Sequence, residues 1–158
     1  MIQKLISLIM SLFEPRFTPT TPVLTVTMPV EAPKAPEPTK ATIENFCLAI
    51  QSREGYIPPC KKYPRGTSSY THRNPGNIRG TDGNFLTFES YEIGFAYLEY
   101  YVKRVMANKH HAYPKNCSIK QFFEVYAPVS DNNDSLSYAQ EVSRKLDVSI
   151  AFLVKDLV

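Results

Sequence analysis

Thr42-Ile-Glu-Asn-Phe-Cys-Leu-Ala-Ile-Gln-Ser-Arg-Glu54-Gly55 decides how the chain reads. Ile43, Phe46, Cys47 and Ile50 recur at helical spacing, and Glu54 falls four residues after Ile50 on the same stripe. A carboxylate there sits at the rim of an apolar face, where desolvation disfavours its charged form and raises its pKa. A general acid working near neutral pH needs that shift. Gly55 is the residue type that stops a helix, so the acid is expected where the helix opens into a loop.

The residues that follow are acid-free. From Gly55 through Thr81 there is no Asp or Glu, while Lys61, Lys62, Arg65, His72, Arg73 and Arg79 stand among Tyr56, Tyr63 and Tyr70. Near the end of this stretch comes Asn74-Pro75-Gly76-Asn77-Ile78. Pro fixes φ, Gly permits positive φ, and Asn tolerates left-handed backbone while bonding its own main chain, so a tight turn is predicted. Its two side-chain amides are candidates for a rigid donor and acceptor pair beside Glu54.

Outward from that core, the expected architecture is α+β, mainly α. A small β element is predicted around Asn77–Phe88, with Asp82-Gly83 as its turn. Ser90 should cap a helix running to about Asn108, with Ile93, Tyr97, Tyr101 and Val105 on one stripe. Ser118 with Gln121 reads as a capping box for a helix ending before Pro128. Asp134 should cap a further helix carrying Leu136, Ala139, Val142 and Leu146, and a last turn or two is expected after Ser149. Phe85 and Phe88 are read as core.

The order of these pieces resembles the cell-wall-lytic proteins of phages and prophages, members of the lysozyme-like superfamily related to lytic transglycosylases. The resemblance rests on Glu54-Gly55, Asn74-Pro-Gly-Asn-Ile78, Phe85-Leu-Thr-Phe88, Tyr91-Glu-Ile-Gly94-Phe-Ala96 and Phe122-Phe-Glu-Val-Tyr-Ala-Pro128. Ser130-Asp-Asn-Asn133 and Tyr138 extend it, so that it covers about residues 43–150. The chain departs from the family in having His72 and Arg73 where a longer run of Asn is common. The resemblance implies a lysozyme-like domain over residues 41–158, with the β element after its first helix. It also implies cleavage between N-acetylmuramic acid and N-acetylglucosamine in peptidoglycan, with Glu54 as catalytic acid and no cofactor or metal.

A two-carboxylate glycosidase needs a second Asp or Glu about 5–10 Å from the acid. The next carboxylate along the chain is Asp82, whose position before Gly83 is that of a turn former. The single-acid scheme of a lytic transglycosylase is therefore favoured over a muramidase-type hydrolase. Asn74 and Asn77 are candidates for binding substrate or orienting Glu54. Tyr126 is a candidate to reach the cleft from its helix, and Tyr56 and Tyr70 are candidate sugar-stacking walls. The alternative reading is a non-catalytic virion structural or cell-wall-binding protein that keeps the fold.

The rest of the chain has two parts. Leu5 to Phe13 is apolar except for Ser7 and Ser11, well short of the ~20 residues that span a bilayer. Residues 1–13 are thus read as an anchor, a docking segment or a signal-like segment. Residues 14–40 contain more than half of the thirteen prolines and are expected to be a disordered, semi-rigid linker. The expected location is the virion or the cell envelope and periplasm, with peptidoglycan strands as partner and residues 1–40 engaging virion components or a membrane surface.

The net charge is +3, with 14 Lys/Arg against 12 Asp/Glu in residues 41–158 and no dominant basic tract, so nucleic acid is not an expected partner. The three cysteines lack zinc-site spacing. Cys47 is expected as a buried free thiol, while Cys60 and Cys117 are a candidate disulfide if the protein works outside the cytoplasm. His110 and His111 are read as a solvated helix C-terminal end that favours positive charge.

Overall fold

The computed structural model describes residues 40–158, and the expectations for residues 1–13 and most of the linker lie outside them. The described part is mainly helical. Helix α1 is Ile43–Glu54, capped by Thr42, whose hydroxyl accepts from the Asn45 amide at 3.0 Å. Gly55 ends it with φ 67°, ψ 51°, the left-handed geometry that glycine adopts without a Cβ penalty. A short helix α2 (Ser68–Thr71) precedes the Asn-Pro-Gly-Asn turn. Helix α3 (Tyr91–Met106) starts on Ser90, whose Oγ accepts from the Ile93 amide at 3.3 Å.

Helix α4 (Ile119–Tyr126) carries both halves of the Ser118–Gln121 capping box. A 3-10 turn, Val129–Asp131, leads to helix α5 (Ser135–Leu146), capped by Asp134. The chain closes on a second 3-10 turn, Val154–Asp156.

The predicted β element shrinks to one antiparallel bridge, Arg79 with Phe85. A second bridge pairs Ser118 with Leu153. Among the described residues the hairpin has no neighbouring strand to extend against, and a lone two-stranded ribbon gains little in water.

Helix α1 packs against α3 and α5, and α4 against α5. Phe46 of α1 meets Phe122 of α4 edge-on at 5.2 Å, and Phe122 meets Phe123 the same way, also at 5.2 Å. The two ends of the domain are laced together, Ile43 N–H donating to the Val158 carbonyl and Val158 N–H to that of Ala41.

On α3 the buried stripe differs from the expected one. Gly94, Leu98, Val102 and Val105 face inward, whereas Ile93 and Tyr97 are exposed. Gly94 accounts for the rotation. A Cβ built there would lie 1.9 Å from the Arg73 carbonyl oxygen, so α3 lies directly on the backbone entering the Asn-Pro-Gly-Asn turn. Only a glycine permits that approach. On α5, Ala139, Val142 and Leu146 are buried as expected but Leu136 is exposed.

The proposed Cys60–Cys117 disulfide is not formed: both thiols are free, Cys60 exposed in the loop after α1 and Cys117 buried in the core. Cys47 is also free and buried, and burial pushes its thiol up to about 12.

Candidate active site

Glu54 ends α1 half-buried, with both carboxylate oxygens engaged. Tyr138 of α5 donates its hydroxyl to Oε1 at 2.6 Å, and Asn77 donates Nδ2 to Oε2 at 2.9 Å. Burial raises the Glu54 pKa above its ordinary value, while the bonds from Tyr138 and Asn77 and the charge of Arg53 pull the other way. The net effect favours a protonated acid. Asn77 can serve both protonation states. Its Oδ1 is buried and has no partner among the described residues, so a half-turn of the amide would offer an acceptor to the protonated carboxyl.

Tyr138 is itself held in place. The Arg53 guanidinium lies 4.6 Å over its ring and reaches on to Glu141 at 2.9 Å, joining the end of α1 to α5. The Tyr138→Phe variant is expected to keep the fold while moving the alkaline limb of any Glu54-dependent activity to higher pH. The lost hydrogen bond stabilises the charged carboxylate, so its removal raises the Glu54 pKa further. Rate–pH profiles of wild type and variant check this, and an unmoved limb would exclude the coupling.

The Asn-Pro-Gly-Asn turn is positioned from inside. Asn74 is fully buried; its Nδ2 donates to the Ile78 and Leu86 carbonyls at 2.8 and 2.9 Å, and its Oδ1 accepts from the Ile78 amide at 3.0 Å. This side chain is therefore a staple of the turn and is not available to a ligand. Asn77 takes φ 46°, the left-handed geometry that Asn tolerates, and this turns its amide toward Glu54. Tyr126 donates to the Gly76 carbonyl and stacks on Phe122 at 5.3 Å, buttressing the turn from α4.

Glu54, Asn77 and Tyr126 line one cleft of about 440 Å³, joined by Arg79, Phe85, His110 and Asp131. Tyr56 and Tyr70 do not line it. Their rings meet each other at 5.3 Å, and Tyr56 meets Tyr91 at 5.1 Å, so the expected sugar walls form a separate aromatic cluster. Thr67 folds that loop back: its hydroxyl donates to the Gly55 carbonyl at 2.6 Å and accepts from the Ile57 amide at 3.1 Å.

Phe85, read as core, is half-buried at the cleft with the Arg79 guanidinium 4.2 Å over its face. Asp82 stays outside the cleft, exposed and bonded to the Asn84 amide at 3.1 Å and its Nδ2 at 2.9 Å, which hold its carboxyl below the usual range.

Sequence reading did not assign Asp131 or His110 to the cleft, nor Tyr138 to the acid. Asp131 stands in a polar Ser-Asp-Asn-Asn run indistinguishable from solvated loop. His110 sits between Tyr101 and Tyr113, 4.9 Å from each ring, and burial together with Arg104 lowers its pKa, contrary to the solvated cation expected. Among the described residues no cluster of His, Cys, Asp and Glu could hold a metal ion, and no helix is long and apolar enough to cross a membrane. The chain matches no protein-family model, no curated protein and no solved structure.

Proposed function

We propose that this protein degrades peptidoglycan as a lytic transglycosylase of the lysozyme-like kind, cleaving between N-acetylmuramic acid and N-acetylglucosamine. One observation carries the reading: a carboxyl at a helix end, made more basic by burial and held at both oxygens by Tyr138 and Asn77, in an open polar cleft. The order of elements is consistent with it, an acid-bearing first helix followed by a minimal β hairpin and a helical remainder.

In this mechanism Glu54 donates its proton to the glycosidic oxygen as the C1–O bond breaks. The resulting carboxylate then removes the proton of the muramic acid's own 6-hydroxyl, whose oxygen closes on C1 as a 1,6-anhydro ring. The proton count returns to its starting point, and no cofactor takes part. Tyr138 and Asn77 steady the carboxylate between the two transfers. Residues 1–40, apolar and then proline-rich, would tether the domain to a phage particle or hold it at the cell envelope.

A hydrolytic outcome is favoured by one feature, the exposed Asp131 on the same cleft. It would activate water where the transglycosylase uses the 6-hydroxyl. Mass spectrometry of products from purified peptidoglycan separates the two. Anhydro-muropeptides are expected; reducing-end products would move the assignment to a hydrolase, and no release by folded protein would move it to a wall-binding or virion structural role.

A further inference from the structure

We infer that a second pocket, adjoining the Glu54 cleft, binds a carboxylate-bearing branch of the substrate, the peptide carried by N-acetylmuramic acid. This rests on the glycan-cleavage reading above. The pocket measures about 400 Å³ and shares Ile78, Arg79, Tyr101 and His110 with the Glu54 cleft. A strand held at Glu54 therefore brings a side branch next to this pocket on the far side of Arg79.

The chemistry of its walls is one-sided. Arg79 and Arg104 line it, and no Asp or Glu does. Neither guanidinium has a carboxylate partner among the described residues. Arg79 Nη1 donates to the Gly83 carbonyl at 2.7 Å, and Arg104 Nη2 to that of Lys109 at 3.0 Å. Glu99, the acid beside Tyr100 on α3, is taken by Lys103 at 3.1 Å and does not line the pocket.

Ring faces orient both guanidinium groups, Phe85 at 4.2 Å from Arg79 and Tyr100 at 6.0 Å from Arg104. Each retains N–H donors in the fork geometry that matches a carboxylate. Tyr97 and Tyr100 project outward at 37% and 54% exposure, giving flat apolar walls for the stem of such a branch. The neutral sugars of the glycan need no such charge. Along the strand the carboxylates lie in the peptide amide-linked to the muramic acid's lactyl group, or on that group itself where no peptide is attached.

The test uses the full chain and the disaccharide N-acetylglucosaminyl-N-acetylmuramic acid, its lactyl carboxyl amide-linked either to a tetrapeptide or, as the bare control, to methylamine, so that only the peptide-bearing ligand carries a carboxylate. Neither ligand contains the bond to be cut, so calorimetry reads affinity without turnover. The peptide-bearing ligand is expected to bind at least about tenfold more tightly, the scale of one charge-assisted contact. Arg104→Ala should remove most of that advantage, leave binding of the bare disaccharide unchanged and leave the melting temperature near wild type. Arg104→Lys should restore part of it.

Equal affinity for the two ligands would overturn the inference, as would an advantage unchanged in both Arg104→Ala and Arg79→Ala. Tighter binding of a 6-phosphorylated disaccharide than of the peptide-bearing one would also overturn it, in favour of a phosphate site. A protein that shows the peptide-dependent affinity but releases nothing from peptidoglycan would sink the cleavage reading alone.

Discussion

Glu54→Gln is expected to abolish release of anhydro-muropeptides, by at least about 10²-fold, while melting at a higher temperature than wild type at pH 7. The two effects share a cause. Burial raises the folded-state pKa of Glu54 above its ordinary value of 4.5, so the folded protein holds that proton more tightly than the unfolded chain. Stability linked to this group is fully present below about pH 4.5 and is lost as pH rises through the folded-state value.

Ionising Glu54 costs the folded wild type more than it costs the unfolded chain, a penalty that grows as the pH rises above the ordinary Glu range. Gln has no proton to lose, and it can keep both contacts, accepting from Tyr138 and donating to the unpartnered Oδ1 of Asn77. The advantage of the variant should therefore shrink as the pH is lowered and vanish below the ordinary Glu range. Melting curves from pH 4 to 8 beside product release check both halves. Retained release would remove Glu54 from the chemistry, and a variant less stable at pH 7 would contradict the burial argument.

Asn74→Ala carries the largest expected loss of stability, about 3 kcal/mol or more of a total that for a domain of this size is about 5–15 kcal/mol. The Asn74 amide satisfies the Ile78 N–H and the Ile78 and Leu86 carbonyls from a fully buried position. Truncation strands the Ile78 N–H and the Leu86 carbonyl, at about 1–3 kcal/mol each before relaxation, while the Ile78 carbonyl keeps the Leu86 amide as a donor. Asn74→Asp keeps the acceptor for Ile78 but turns charged oxygens toward two carbonyls, and should be no better tolerated. Denaturant unfolding measures this directly, and a loss under about 1 kcal/mol would show that the turn holds its shape without the staple. Activity should fall with stability, because the same turn carries Asn77 to Glu54 and presents the Gly76 carbonyl to Tyr126.

Much of the backbone was legible because its signals act over three or four residues. Thr42, Ser90, Ser118 with Gln121, and Asp134 each cap the helix that follows from their own side chains. Gly55 stops α1 by its own φ, and the position of Glu54 at that helix end follows from the same few residues. The Asn-Pro-Gly-Asn turn was equally readable from its composition. The hairpin was not, because Asp82-Gly83 specifies a turn and says nothing about how many backbone pairs form beyond it.

The site lies at the other extreme. Its bonds join residues 23 apart for Asn77 to Glu54, 50 for Tyr126 to Gly76 and 84 for Tyr138 to Glu54. The two asparagines of the turn are alike in sequence, yet one points into the core and the other to the acid. Which face of α3 turns inward depended on the close approach of Arg73 to Gly94, and the place of Asp131 and His110 on the cleft depended on how the later elements close over it. The sequence alone determined the four longer helices, their caps and the place of Glu54 at the end of the first, because those follow from caps, turns and periodicity within one or two turns of chain. Only the tertiary structure decided which side chains meet that acid, because such contacts form when distant segments share one core.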